Sequence, residues 1–226
     1  MSSPVSTPAW KRALGQQVLN MQGALSSAGQ ALGWEWLVYN PLATYSFRRA
    51  ALRNAPGVVR TLRAAFPQAH RVVDVGCASG IYVKEMNDRG LQAIGVEYSP
   101  KLRARAAAQG LAAYPFDLAR QTPHPPGAPF DLALSLEVAE HVPGQFADAF
   151  AGYFRGLSDT VVFTAAQPGQ GGPGHVNEQP RAYWIDKFAA AGFALDEERT
   201  HAVREGLLQA QVHWYLPANV CVFRRR

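Results

Sequence analysis

The sequence predicts an α/β protein with a doubly wound, mostly parallel seven-stranded sheet, an antiparallel final strand and a helical N-terminal cap. From residue 72 onward, short β-rich runs alternate with helical stretches, the order typical of parallel sheets with crossover helices. The last two strand candidates come without a long helix, which favours a hairpin-like antiparallel pair at the end of the sheet. These two observations set the fold class.

The individual helices and strands are predicted from their composition and from the residues that mark their ends. Glycines follow three of the helical patterns, at Gly90, Gly110 and Gly192, where they are typical of helix C-termini. Strands are predicted at residues 71–75, 92–97, 111–114, 130–136, 160–165, 193–200 and 212–224, and helices at residues 81–89, 100–109, 145–157 and 180–191.

One ligand-binding domain preceded by a helical cap is expected. Residues 1–70 favour helices with breaks at Gly33, Pro41 and Pro56, and their many aromatic side chains predict a cap or lid packed on the core. Residues 71–226 form the predicted ligand-binding domain. Within it, residues 122–129 contain four prolines and are expected in neither a helix nor a central strand.

Composition limits the classes of function. Hydrophobic residues make up 48% of the chain and charged residues 17%, an ordinary globular balance. The two cysteines lie far apart, so neither a disulfide framework nor a zinc knuckle is expected. We find no signal-peptide pattern and no membrane-spanning apolar run, which predicts a cytoplasmic protein. The net charge of +5 permits nucleic-acid contact without requiring it, and the oligomeric state is not predicted.

The strongest local feature is a Gly-rich turn within VVDVGCASGIYVKEM, residues 72–86. A buried strand carries Asp74, the chain turns through Gly76 and Gly80, and a helix follows. Glycines there let a ligand approach the backbone closely. The G-x-x-x-G spacing differs from the G-x-G-x-x-G of dinucleotide sites, and a carboxylate before the turn favours a cationic ligand over a pyrophosphate.

Two further acids follow the next strands. Glu97 ends the second strand, where a carboxylate can accept both hydroxyls of a ribose. Asp117 follows the third strand, where a carboxylate can accept from an exocyclic amine of adenine. Because the C-terminal ends of parallel strands meet at one edge, the three acids are expected to converge on one crevice.

The segment from residue 72 to residue 136 resembles the class I S-adenosylmethionine-dependent methyltransferases. VVDVGCASG is similar to their first motif and FDLALSLEVAEHV, residues 130–142, to their fourth-strand motif. The resemblance implies that S-adenosylmethionine is the cofactor. It also implies a set of binding residues: Asp74, Gly76 and Gly80 at the methionine end, Glu97 at the ribose, Asp117 and Leu118 at the adenine, Glu137 beside the methionine amine or the methyl group, and Cys77 and Tyr98 as further cofactor-binding residues.

Methyl transfer to a hydroxyl also needs a base. Candidate catalytic residues are His141 with Glu140, after the fourth strand, and His175, in the Gly- and Pro-rich loop of residues 165–180. Long irregular loops are uncommon unless they serve a site. Asn177 and Glu178 are either part of that site or caps of the helix near residue 180. No metal site is predicted, because ligand spacing is missing, although Glu140, His141, His175 and Glu178 are an alternative divalent-ion set.

The resulting hypothesis is methyl transfer to a hydroxyl or amine of a small polar metabolite. The loop and the residues after it resemble a bacterial subgroup of small-molecule methyltransferases associated with saccharide or secondary-metabolite contexts. The alternatives are an RNA or protein methyltransferase and a catalytically silent scaffold with the cofactor fold. An N-P-P-Y-type tetrapeptide does not follow the fourth strand, where the chain reads Leu-Glu-Val-Ala, so nucleic acid is not the expected partner.

Overall fold

The computed structural model of the protein describes residues 41–226, except for the side chains of residues 41–44 and 46. Most of the predicted N-terminal cap, including the predicted break at Gly33, lies outside the described residues. The domain boundary at residue 70 therefore stays a prediction.

The described chain contains a seven-stranded sheet with helices on both faces. Its helices are α1 (Pro41–Ala65), α2 (Ile81–Asp88), α3 (Pro100–Ala107), α4 (Ala147–Tyr153), α5 (Arg181–Ala190), α6 (Glu197–Gln209) and α7 (Tyr215–Asn219). Its strands are β1 (Arg71–Val75), β2 (Gln92–Glu97), β3 (Ala113–Pro115), β4 (Leu132–Leu136), β5 (Thr160–Thr164), β6 (Phe193–Leu195) and β7 (Cys221–Arg225).

The strand order is β3-β2-β1-β4-β5-β7-β6. Strands β1 to β5 pair in parallel, and β7 runs antiparallel to both β5 and β6. The predicted fold class is confirmed. The order reverses between β1 and β4, and ligands of open α/β sheets bind in the crevice at such a switch point.

The sheet separates two apolar cores. On one face aromatic side chains dominate, with Phe150, Phe163 and Phe188 packed against Trp184. On the other face α1, α2 and α6 pack through aliphatic side chains such as Val59, Met86, Val203 and Leu207. Helices on both faces leave the strand ends as the exposed edge where a ligand can reach the backbone.

The predicted break at Pro56 is wrong, because α1 continues through it. Proline removes one hydrogen bond from a helix interior and crowds the preceding turn. Here Pro56 faces outward while Ala55, Val59 and Leu62 are buried against the sheet. Burial of that face offsets the lost hydrogen bond. Among residues 41–226, no helix has both the length and the apolar composition required to cross a bilayer.

The C-terminal strands are shorter than predicted. The run 193–200 is strand only to Leu195, because the Asp196 side chain accepts a hydrogen bond from the Arg199 backbone N–H and caps α6. In the run 212–224, α7 precedes β7, which begins at Cys221. The last two strands are antiparallel as predicted, but α6 and α7 join them in place of a hairpin. Trp214, just before α7, is 65% exposed.

Candidate active site

The C-terminal ends of β1 and β2 bring two carboxylates together; we call Asp74 and Glu97 the strand-end pair. Register sets this proximity, because Asp74 pairs with Gly95 and Val75 with Val96. Both side chains are buried. The Asp74 Oδ2 atom has no hydrogen-bond partner among residues 41–226. Burial, and then the neighbouring Glu97, raise the pKa of Asp74 to about 7.

Glu97 is held by backbone donors. Its Oε2 accepts from the Ala78 N–H at 2.9 Å and its Oε1 accepts from the Ser99 N–H at 2.8 Å. Burial raises the pKa of Glu97, while these hydrogen bonds and the Arg103 charge act in the opposite direction. The carboxylate is therefore fixed at the edge of the crevice without an ion pair to any residue that the structure describes.

The turn after β1 needs glycine for conformation and for space. Gly76 has φ +81°, and a Cβ built on it would lie 2.5 Å from Val138 Cγ2. The Cys77 side chain is buried against Gly95, where a Cβ would overlap the sulfur. Burial, followed by the charges of the strand-end pair, raises the pKa of the Cys77 thiol. Gly95 was missed by the sequence analysis, since a glycine inside a strand gives only a general signal of close approach.

The predicted adenine residues lie at the adjacent edge. Asp117 follows β3, and its Oδ1 accepts from the backbone N–H groups of Ala119 and Arg120 at 3.0 and 3.2 Å. Leu118 packs against the aromatic core, and Tyr98 is half-exposed beside the strand-end pair. The Asp117 hydrogen bonds form a local turn, and contact with adenine stays a prediction.

Glu137 directly follows β4 and has a positive φ of 55°, an uncommon conformation for this residue type. Its Oε2 accepts from Gln170 Nε2 at 2.6 Å and its Oε1 accepts from Asn219 Nδ2 at 3.1 Å. Asn219 Nδ2 also donates to Gln170 Oε1 at 2.8 Å. No local sequence pattern marks Gln170 or Asn219, because they and Glu137 come from three separate segments.

Four residues form what we call the loop cluster: Glu140, His141, His175 and Glu178. The His175 Nε2 atom lies 4.0 Å from Glu140 Oε1, and the two imidazole rings meet edge to face with centroids 5.0 Å apart. Burial, and then Glu137, raise the pKa of Glu140. Burial, and then His175, lower the pKa of His141 to about 4. The structure thus brings together the predicted catalytic residues from both sides of β5.

Backbone hydrogen bonds fix the loop that carries His175. The N–H groups of Val176 and Asn177 donate to the Glu140 carbonyl at 2.9 and 3.0 Å. Glu178 accepts from the N–H groups of Gly169 and Gly171 at 2.9 and 2.7 Å. Burial alone would raise the pKa of Glu178, but these bonds and the one from His175 lower it.

The capping alternative for Asn177 and Glu178 is wrong. Helix α5 begins after Pro180 and has no side-chain cap. Gly172 was missed by the sequence analysis. A Cβ on it would overlap the His175 ring, so this glycine makes room for the imidazole. Its only sequence signal is the dense run of glycines before His175.

The sequence profile of a methyltransferase domain family matches residues 46–163, just over half of the chain. No curated protein sequence matches significantly. Among solved structures, the sugar N-methyltransferase KedS8 from Streptoalloteichus sp. is 17% identical with a TM-score of 0.58, over 81% of this chain and 92% of that one.

Two further structures are similar over most of their length. The amino pentose methyltransferase CalS10 from Micromonospora echinaspora, solved with S-adenosylmethionine bound, is 18% identical with a TM-score of 0.60, over 83% of this chain and 98% of that one. DesVI from Streptomyces venezuelae is 13% identical with a TM-score of 0.59, over 81% and 97%. The resemblance drawn from the motifs is therefore confirmed, and the chain belongs to the methyltransferase domain family with the class I fold.

Proposed function

We propose that the protein transfers a methyl group from S-adenosylmethionine to a hydroxyl or amine of a small polar metabolite of saccharide or secondary-metabolite type. The observation that carries this proposal is the strand-end pair beside the Gly76 turn. The Asp74 Oδ2 atom is buried and has no hydrogen-bond partner within the described residues. A ligand that donates to this oxygen offsets the free-energy cost of its burial.

The residues of this crevice fit S-adenosylmethionine. Asp74 suits the cationic amino-acid end, the prepositioned carboxylate of Glu97 suits the ribose hydroxyls, and Gly76, with φ +81° and packed against Val138, gives the turn beside them its shape. The cofactor supplies a methyl group on a sulfonium, whose departure needs no acid. Solved neighbours with S-adenosylmethionine or S-adenosylhomocysteine bound support the same cofactor.

The loop cluster is proposed to face the acceptor. His175 Nδ1 lies 2.7 Å from a Glu178 carboxylate oxygen and donates to it, so the Nε2 atom of the neutral ring carries the lone pair that can accept a proton. His141 is the second candidate base, and Glu140 lies beside His175. Neighbours that act on sugars support a saccharide-type acceptor. The cytoplasmic location and the absence of a nucleic-acid partner stay predictions.

Calorimetry with S-adenosylhomocysteine tests the cofactor. We expect one molecule to bind per chain and expect Asp74→Ala to weaken that binding strongly. Failure of the folded wild-type protein to bind it would overturn the proposal and leave the silent scaffold.

Methyl-labelled S-adenosylmethionine tests the acceptor. The protein is incubated with a panel of amino sugars, neutral sugars, a short RNA and a peptide mixture. We expect the label on a saccharide. Transfer to RNA or peptide alone would establish the macromolecular alternative.

A further inference from the structure

Three side chains of the loop cluster form a compact set of potential metal ligands. One ligand atom from each of Glu140, His141 and His175 lies within 4.8 Å of the others. The Glu140 Oε1 and His175 Nε2 atoms are 4.0 Å apart, too far for a hydrogen bond. An ion about 2.1 Å from each atom would need them about 3.0–3.4 Å apart, so small side-chain rotations complete the set.

Glu140 gives an independent indication. The side chain is fully buried, and neither carboxylate oxygen has a hydrogen-bond partner in the part of the chain that the structure describes. Buried carboxylates are paired, hydrogen-bonded or bound to metal in native proteins, because removing a charge from water without such a partner is strongly unfavourable. The His175 Nε2 atom, 4.0 Å from Glu140 Oε1, does not hydrogen-bond to it. A cation between the three groups would offset the cost of burial.

The hydrogen bonds around the histidines match those of metal ligands. His141 Nδ1 lies 3.0 Å from the Gly174 carbonyl, which can only accept, so this nitrogen donates. His175 Nδ1 donates to Glu178, whose carboxylate is itself held by two backbone N–H groups. With Nδ1 as the donor, Nε2 is the ring nitrogen that can bind a metal ion. Metal-binding histidines typically donate the other ring N–H to a carboxylate or a carbonyl in this way.

We propose that Glu140, His141 and His175 bind one divalent transition-metal ion that holds the oxygen of the methyl acceptor. Two imidazoles and one carboxylate suit Mn²⁺, Fe²⁺, Co²⁺ or Zn²⁺ better than Ca²⁺ or Mg²⁺, which prefer oxygen ligands alone. Three protein ligands leave positions open for an acceptor. The claim that these residues bind an ion is based on the cluster geometry. The claim that the ion holds the acceptor oxygen also rests on the proposed function.

A metal here favours hydroxyl over amine acceptors. Coordination lowers the pKa of a bound hydroxyl, whereas a neutral amine already has an available lone pair. The hydroxyl proton leaves to solvent, the oxygen lone pair forms the bond to the methyl carbon, and the electrons of the carbon–sulfur bond stay on sulfur. The histidines then act as ligands, and the base role described above belongs to the protein without metal.

The test uses the full chain without a histidine tag, stripped with a chelator and titrated with Zn²⁺ by calorimetry. We expect one ion per chain, with roughly 100-fold weaker binding in His175→Ala and in Glu140→Gln, since even outer-shell partners contribute 10- to 100-fold. His201→Ala, at an exposed position on α6, is the matched control and should bind like the wild type. Equal affinity in wild type and His175→Ala, or no stoichiometric binding, would overturn the inference.

Co²⁺ absorption gives a second readout. Visible d–d bands typical of imidazole ligands should appear in the wild type. They should change in Glu178→Gln, because this variant alters the carboxylate that accepts from His175 Nδ1. The substitution keeps all three metal ligands. Unchanged bands in both Glu178→Gln and His175→Ala would contradict the assignment. S-adenosylhomocysteine binding is measured on the same metal-free sample. Binding there without any uptake of Zn²⁺ would defeat the metal inference alone and leave the proposed function standing.

Discussion

The strand-end pair and the loop cluster both bury carboxylates at the same edge of the sheet, but the fold holds them differently. Glu97 is positioned by the register of β1 and β2 and by hydrogen bonds from the backbone N–H groups of Ala78 and Ser99. Glu140 has no hydrogen-bond partner for its carboxylate within residues 41–226, and its neighbour His175 comes from a loop beyond β5. Under the proposed function, the strand-end pair sets the affinity for the cofactor and the loop cluster acts on the acceptor. Variants in each should therefore separate the two properties.

The largest expected effect is on S-adenosylhomocysteine affinity in Gly76→Ala. The new Cβ would lie 2.5 Å from Val138 and would occupy a left-handed conformation that costs roughly 1–2 kcal/mol. Displacement of the turn should weaken binding by roughly 100-fold or more, about 2.7 kcal/mol, as measured by calorimetry.

Gly90→Ala is the matched control. Gly90 has a similar φ of +83°, but a Cβ there would meet nothing within 4 Å. It should lose stability to urea without losing affinity for S-adenosylhomocysteine. Equal losses of affinity in Gly76→Ala and Gly90→Ala would show that backbone strain causes the effect. They would contradict the argument that the clash with Val138 displaces the turn.

Glu97→Gln should weaken S-adenosylhomocysteine binding roughly 10- to 100-fold, because a hydrogen bond to a charged group contributes about 1.5–3 kcal/mol. Glu85→Gln removes a carboxylate that forms a surface ion pair with Arg89 and serves as the control. Its affinity should equal that of the wild type. If Glu97→Gln also binds normally, the ribose assignment is wrong.

The pKa of Asp74 predicts a pH dependence of cofactor binding. Burial raises this pKa to about 7, so Asp74 is mostly protonated below that pH and ionised above it. A cationic amino-acid end prefers the ionised form, and affinity for S-adenosylhomocysteine should fall about tenfold per pH unit below 7. In the ligand-free protein the raised pKa also affects stability. Between about pH 4 and 7 the folded state keeps the Asp74 proton that the unfolded state has lost, so the contribution of Asp74 to the free energy of unfolding declines as pH rises. Asp74→Asn should flatten the binding profile, and an unchanged slope would exclude Asp74 as its origin.

Substitutions at the loop cluster are expected to change the affinity for S-adenosylhomocysteine least. In Gly172→Ala the new Cβ would overlap the His175 ring and displace it. Methyl transfer should fall at least tenfold, by loss of alignment, while S-adenosylhomocysteine affinity stays within about twofold of the wild type. Gly152→Ala, in α4 with open space around the site of the Cβ, should change neither property. A large affinity loss in Gly172→Ala would mean that the two regions are not separable.

Much of the fold could be predicted because the signals are local. Strands β1 and β2 have the bounds that the sequence predicts, residues 71–75 and 92–97, since each is a short apolar run bounded by turn residues. The C-terminal part could not be, because α6 depends on a cap at Asp196 and on burial of Val203 and Leu207 against α1 and the sheet. The continuity of α1 through Pro56 likewise depends on packing that no local pattern reveals.

For the site, the sequence by itself determined which residue types stand at the strand ends. The turn signals after each strand indicate where Asp74, Gly76 and Glu97 lie. Their proximity follows from the parallel pairing of β1 and β2. Only the tertiary structure decided that Glu140, His141 and His175 meet, that Glu178 holds His175 and does not cap α5, and that Asn219 reaches Glu137. The physical reason is range. Turn and strand preferences act over a few residues, whereas these contacts join segments brought together by packing of the whole sheet.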